Sequence, residues 1–327
     1  MNQHVDIKEN LMDKLDLKLL KVLLKDKTTR NNIIWATDDY KCYGEEYASD
    51  MQILPGQITG FFGDIIRPRV EKSKSEQNAR IKNKAEVFTP SWVCNKQNNL
   101  IDNAWLENVS AFNIETDDGW IATTEKIVFP EGKTWQDYVK LNRLEVSCGE
   151  APYLVSRYDT VTGDYIAVEQ RIGLLDRKLR VVCENCDSEP EWVSWAIKAV
   201  QSVYGFDWQG DNVLIARENI LFTFADYYLY KFSVPAIPEY LMEIAKIVAW
   251  NIWQMDGIKF VVPNSCHDVI EAQESLFSET TVCCKCPGCK NNNHSLHNGI
   301  YARTYDWSGQ HSVVFYSFID SAFRRKS

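Results

Sequence analysis

Two groups of residues in this sequence have the types and spacing to do chemistry. The first is the stretch CCKCPGCKNNNHSLHNG, which holds Cys283, Cys284, Cys286, Cys289, His294 and His297. Cys286-Pro287-Gly288-Cys289 is a C-x2-C knuckle, whose tight turn presents two thiolates to one tetrahedral metal ion. His297 lies eight residues beyond Cys289, and Cys266, next to His267, lies twenty residues before Cys286. Cys266, Cys286, Cys289 and His297 are therefore the preferred ligands of a structural zinc. Thiols without a metal, or a redox pair, are the alternatives. No neighbouring Glu-containing helix motif supplies a base, which argues against a catalytic zinc. Cys183-Glu184-Asn185-Cys186 repeats the spacing inside a helical pattern, where packing cysteines are the better reading.

The second group is split between EVSCGEA (Glu145–Ala151) and VYGFDWQGDNVLIAREN (Val203–Asn219). In the first segment a strand delivers an acid and then a Cys-Gly turn. Gly149 has no Cβ, so backbone there can approach a ligand closely. In the second, a strand ends on Gly205-Phe206-Asp207 and a helix with Ala216-Arg217-Glu218-Asn219 follows. A carboxylate at a strand tip can accept hydrogen bonds from both hydroxyls of a ribose.

With the upstream Glu86-Val87-Phe88-Thr89-Pro90, these segments resemble the adenine-specific DNA N6-methyltransferases in which the cofactor motif precedes the catalytic one. The likeness spans roughly residues 84–220, the S-adenosyl-L-methionine-binding half. A narrower set of standalone proteins, methylase subunits of restriction-modification systems, is similar over KAEVFTPSWVCN, CGEAPYLVSRYD and IGLLDRKLRVV. The resemblance implies that Phe88, Thr89 and Pro90 contact the methionine end of the cofactor. Glu145 and Gly149, with Cys148 between them, would meet its amino-acid part, Asp207 its ribose and Asp306 its adenine ring.

The departures are equally specific. Ala151-Pro152 stands where the family has a second glycine, and 57 residues separate Gly149 from Asp207 where about 20 is usual. No Asn-Pro-Pro-Tyr or Asp-Pro-Pro-Tyr follows, the motif that grips a flipped adenine. The expectation is a subunit that binds the cofactor and DNA, with a second chain supplying the catalytic motif and target recognition. Catalytic residues within the chain are not identified. A non-catalytic remnant or regulatory binding module is the alternative, and a complete small-molecule or protein methyltransferase using Asn264 is a third reading.

The elements that must position these residues follow from periodicity. LMDKLDLKLLKVLL puts Leu11, Leu15, Leu19, Val22 and Leu23 on one helical stripe. Thr89-Pro90 reads as an N-cap and first helical residue. The sequence predicts strands at LNRLEV, VYGFD and GIKFVVP, two late strands in IYARTYDW and HSVVFYSFID, and a β-hairpin around Thr162-Gly163-Asp164. IGLLDRKLRVV and EWVSWAIKAVQSVYG read as helices, the latter with a core-facing tryptophan stripe. A further helix runs from Pro238 to a stop at Asp256-Gly257. Strands alternating with helices give an α/β fold, read with the resemblance as a Rossmann-like methyltransferase sheet with an N-terminal helical extension, insertions and a small zinc knuckle. The expected divisions are an N-terminal mixed region (1–84), the cofactor-binding half-domain (85–260) and the Cys/His segment with the terminal strands (261–327).

Composition sets the outer limits. The chain has 327 residues and a net charge of −9, from 36 Lys+Arg against 45 Asp+Glu. An acidic chain lacks the overall basic footprint of a free-standing DNA binder. Locally, however, residues 67–84 carry seven basic residues against Glu71 and Glu76, a balance of +5, and the tail adds Arg324, Arg325 and Lys326. The basic stretch reads as a solvated loop or a phosphate contact. No apolar run reaches the ~18–20 residues of a membrane span, and no secretory leader opens the sequence. Ten cysteines in such a chain suggest thiols or metal ligands, so the expectation is a cytoplasmic protein with no membrane partner.

Overall fold

The computed structural model describes residues 17–84, 86, 89–275 and 278–319. From the amino end come α1 (Leu17–Leu23), a run of short 3-10 turns, α2 (Lys74–Lys84), α3 (Ser91–Leu106) and the hairpin β1 (Asn113–Glu115) and β2 (Trp120–Ala122). Then follow α4 (Trp135–Lys140), β3 (Arg143–Val146), α5 (Leu174–Asn185), α6 (Glu189–Gln201), β4 (Val203–Asp207), α7 (Gly210–Phe232), α8 (Pro238–Asn251) and β5 (Ile252–Gln254). The chain continues through β6 (Val269–Ser275), β7 (Ser278–Cys284), α9 (Pro287–Asn291), β8 (Arg303–Asp306) and β9 (His311–Val314).

The organising unit is the parallel sheet β3-β4-β5, in which Glu145 pairs with Gly205 and Gly205 with Ile252. Parallel neighbours need long crossovers, and each crossover here carries two helices, α5–α6 and then α7–α8. These helices and α1 bury Leu20, Leu175, Trp192, Val200, Leu214 and Ile247 in one large core that also takes in Trp35 and Ile53 from the N-terminal segment. The fold class is therefore α/β, with separate two-stranded sheets β1-β2, β6-β7 and β8-β9. A smaller apolar cluster of Phe206, Trp253, Met255, Ala302 and Phe315 packs together at β4 and β5. At the neighbouring strand, β3, Leu144 and Val146 remain 45% and 64% exposed.

Several elements differ from the sequence reading. GIKFVVP is not a strand. The third strand is Ile252–Gln254, which the helical pattern before it had absorbed, and α8 ends at Asn251 instead of Asp256. A short, fully buried apolar segment carries no periodicity to separate it from a helix end. The expected hairpin at 153–170 reduces to one bridge, Tyr158 to Tyr165. There the Asp159 carboxylate organises a turn by accepting from the N–H groups of Val161, Thr162 and Ser91. The bond to Ser91 caps α3 from a distance, so Thr89 is not its N-cap and Pro90 stands one position outside the helix. The stripe residues Leu19 and Leu23 are buried as expected, with Leu20 in place of Val22, while Leu11, Leu15 and the Arg324–Lys326 tail lie outside the described residues.

The basic stretch is also not a loop. Much of it forms α2, and two of its cations turn inward. The Asp211 carboxylate, at the start of α7, accepts from Tyr40 Oη at 2.6 Å, Lys72 Nζ at 3.0 Å and Arg80 Nη1 at 2.7 Å. Burial alone would raise the Asp211 pKa, but Arg80, Lys72 and the Tyr40 hydroxyl overcome it and hold the group well below the usual carboxylate range. Removing one partner of a buried ion cluster leaves the others desolvated and unpaired. Asp211→Ala is therefore expected to cost about 3–5 kcal/mol in a denaturant titration at neutral pH. A loss below about 1 kcal/mol would show that the cluster does not hold the fold.

Candidate functional site

A cleft of about 850 Å³ opens at the carboxyl ends of β3 and β4. In an open parallel sheet this edge is where helix-connected strands leave space for a ligand. Five of the eight residues expected to contact a cofactor line it: Thr89, Glu145, Cys148, Gly149 and Asp207. Pro90 is not among the lining residues, and Phe88 lies outside the described residues. Asp306 is elsewhere. It ends β8, where its carboxylate accepts from the N–H of Ser308, and it does not reach the cleft. The late-strand position suggested Asp306, but β8 pairs with β9 in its own hairpin instead of joining the parallel sheet.

The turn after β3 is fixed by backbone geometry. Ser147, Gly149 and Ala151 all have positive φ, at 50°, 52° and 65°. Ala151 thus keeps the left-handed conformation that a glycine would adopt freely, at a cost of roughly 1–2 kcal/mol. The Cys148 N–H donates to Phe206 O at 2.8 Å, and the Gly149 N–H donates to Asp207 Oδ2 at 2.9 Å. The two sequence segments are therefore stitched to each other directly. Gly205 makes room for this, since a Cβ there would come within 3.1 Å of Cys148 Sγ. The Cys148 thiol is buried and its pKa is pushed well up by desolvation, which suits packing and not nucleophilic chemistry. In the same way Arg217 and Asn219 act as braces. Arg217 binds the carbonyls of Leu23, Lys25, Ala249 and Ile252, and Asn219 binds Glu150 O and Tyr158 Oη.

Two acids on neighbouring strands line the cleft. Glu145 accepts from the N–H groups of Tyr153 and Leu154, yet burial pushes its pKa up to about 8, with Asp207 adding to the rise. Burial likewise pushes Asp207 up to about 6, against hydrogen bonds from Gln209, Gly149 and Asn212. Each oxygen of a carboxylate has two acceptor positions, so Asp207 Oδ2, holding only the Gly149 N–H, can still receive a ligand hydroxyl. Thr37, Asp38 and Ser49, which no motif flagged, also line the cleft, with Trp208 from the second segment. Asn264, singled out in the third reading, also lines the cleft, with φ 60° and its amide donating to Ser49 O at 3.3 Å. Trp208 alone carried a signal, its place directly after Asp207.

The Cys/His set assembles as the spacing predicts. The ligand atoms of Cys266, Cys286, Cys289 and His297 all lie within 4.8 Å of one another, so the cluster can hold a metal ion. His297 Nδ1 is 3.6 Å from Cys266 Sγ and 3.7 Å from both Cys286 Sγ and Cys289 Sγ, and the Cys286 and Cys266 sulfurs are 4.0 Å apart. A tetrahedral ion at ~2.3 Å from sulfur and ~2.0 Å from nitrogen demands edges of about 3.8 and 3.5 Å. Gly288 and Gly299 press on the ligands, since a Cβ would lie 2.5 Å from His297 Nδ1 or 3.0 Å from Cys266 Sγ. Burial resists ionisation of Cys286, but the N–H of Asn298 and other backbone donors bring its pKa down to about 6, a thiolate. Cys283 stands apart, with its thiol against Asp268. Cys183 and Cys186 are packing residues, the former accepting from the Trp192 indole. Among the described residues no helix is long and apolar enough to cross a membrane.

No protein-family model, no curated protein and no solved structure matches the chain.

The elevated Glu145 pKa makes stability depend on pH with a definite sign. Unfolded, the group ionises near 4.5, whereas folded it keeps its proton to about 8. Across that window the native state binds more protons, so stability falls as pH rises. Melting temperatures of wild type and Glu145→Gln, followed from about pH 5 to about pH 9, should diverge to the disadvantage of wild type and stop diverging once the folded group is ionised. Parallel curves would mean that Glu145 is solvated and ordinary.

Proposed function

We propose that the cleft binds S-adenosyl-L-methionine and that the chain is the cofactor-binding subunit of an adenine-specific DNA N6-methyltransferase of a restriction-modification system. The observation that carries this reading is the convergence of Thr89, Glu145, Cys148, Gly149 and Asp207, far apart in sequence, on one cleft at the strand ends. Asp207 has an acceptor position for a ribose hydroxyl, and the paired acids favour a ligand that brings positive charge, as a sulfonium and an α-amino group do. In the complete site the methyl group would pass in line from sulfur to the adenine N6. Positioning and electrostatics drive such a transfer, with no covalent protein intermediate.

The catalytic Asn-Pro-Pro-Tyr-type motif would come from a second chain. The exposed Leu144 and Val146 on β3 support this, because a parallel sheet is ordinarily covered on both faces. DNA contact would rest on the partner and on exposed cations such as Lys74 and Lys82, since Lys72 and Arg80 are committed to Asp211. We assign zinc to the four-ligand cluster. Four protein ligands leave no open position, so its role is structural. The position of Asn264 in the cleft favours, as a second reading, a chain complete in itself.

Calorimetry with S-adenosyl-L-methionine should show saturable one-to-one binding that Asp207→Ala weakens by about 10–100-fold, the worth of a hydrogen bond to a charged group. No saturable heat with folded, metal-loaded protein would remove the cofactor assignment. Activity without a partner, lost in Asn264→Ala, would replace the two-chain reading by the second one.

The metal has its own check. Elemental analysis should give one zinc per chain, absent from Cys286→Ser, and a chelator should lower the melting temperature of wild type alone. Zinc-free protein that melts at the same temperature would refute the structural site.

A further inference from the structure

A second cavity, of about 520 Å³, shares no lining residue with the first and has the opposite electrostatic character. Lys25, Lys27, Arg30 and Arg303 line it, beside Trp250 and one acid, Asp26. That acid holds its own turn and is one negative charge against four positive ones. Its Oδ1 accepts from the Thr28 N–H, and its Oδ2 accepts from the Thr29 N–H and hydroxyl. None of the four cations makes an ion pair among the described residues; Arg303 binds only Ser312 through its guanidinium. Close by, the buried guanidinium of Arg217 donates only to carbonyl oxygens, and Asp26 is the one carboxylate that offsets its charge, short of what burial costs it. The effect is felt at Lys27, where burial, then Arg217, Lys25 and Lys246, lower the ammonium pKa.

Such a concentration of like charge in a chain of net charge −9 works against folding unless something neutralises it. The turn that carries three of the cations is nevertheless built firmly. Lys25 bridges Asn32, Arg30 holds a positive φ of 66°, and the Arg303 N–H docks on Thr28 Oγ1 at 3.0 Å. Lysine ammoniums and an arginine fork are the donors that suit phosphate oxygens. Lys27 Nζ stands 5.9 Å from the Trp250 ring centroid, and Trp250 in turn meets Tyr305 at 5.2 Å, so one wall of the cavity is aromatic. The volume falls within the ~300–1,000 Å³ of small-molecule sites.

We propose that this cavity is a binding site for phosphate esters, with Lys25, Lys27, Arg30 and Arg303 as the phosphate donors. A free nucleotide and one nucleotide of a nucleic-acid strand present the same group, and separate probes tell them apart.

The test uses the full-length, metal-loaded protein. Inorganic pyrophosphate should raise the melting temperature beyond the effect of sodium chloride at equal ionic strength. Lys27→Gln and, independently, Arg30→Gln should each weaken pyrophosphate binding about tenfold, while Lys198→Gln, on α6, leaves it unchanged. Lys27→Gln without ligand should melt no lower than wild type, because it removes an uncompensated charge. Thymidine diphosphate and a twelve-residue oligothymidylate are the source probes, and the one that binds more tightly identifies the source. No rise beyond the salt control, or the same rise in wild type and both cavity variants, overturns the site.

Discussion

The Asp211 carboxylate lies fully buried at the first turn of α7, where it gathers the hydroxyl of Tyr40, the ammonium of Lys72 and the guanidinium of Arg80. Those three groups come from segments that share no secondary structure with α7. Arg80 also pairs with Glu86, so the buried charges hold several segments in one arrangement, which is how a buried polar cluster specifies a fold. The neighbouring residues extend the same grip. Asp207 holds the Gly149 N–H, Trp208 donates to Ala36 O, and Gln209 accepts from Arg80. The Gly210 N–H donates to Trp35 O, and Asn212 donates to Glu86. Gly210 is needed because a Cβ there would sit 2.0 Å from Ile34 O. Six consecutive residues, from the end of β4 into the first turn of α7, thus draw the N-terminal segment, α2 and the β3 turn around one cleft.

That arrangement explains which parts were legible in the sequence. Glu145, Gly149 and Asp207 could be found because a strand followed by a turn is a local pattern, and the ligand spacing of Cys286 and Cys289 is local too. Residues 34–53 carry no such pattern. Their short turns are held by distant partners, for example the Gln254 side chain, which pairs with both the N–H and the carbonyl of Ile34. The cleft residues Thr37, Asp38 and Ser49 were therefore invisible. Helix α3 shows the same limit from the other side. Its buried stripe is Asn95, Asn98, Asn99 and Asp102, satisfied by Arg177, Asn113 and backbone carbonyls, while Leu100 faces solvent. A hydrophobicity pattern cannot predict a helix that docks through amides.

The Cys/His cluster is coupled to the cleft by chain continuity. Asn264 lines the cleft, and Cys266 is a ligand two residues later. Between them Ser265 fixes the path, donating to Val262 O at 2.6 Å and accepting from the Ile300 N–H at 3.0 Å. Through Cys266, a metal ion would tether the segment leading from Asn264 to a second segment running from Cys286 to His297, in a region with little apolar packing of its own. Metal binding energy in such a place is folding energy. The rigidity of one cleft wall would then derive from an ion that touches nothing in the cleft.

The two cavities divide the charge of the molecule between them. Around the cleft at the strand ends, Glu145 and Asp207 are held partly protonated by burial, so a cation that enters would complete their ionisation and release protons. At the second cavity four cations share the single carboxylate of Asp26, so a ligand that completed them would bring negative charge. Under the two proposals each cavity would take a ligand carrying the charge that its own side chains lack, at some cost to stability.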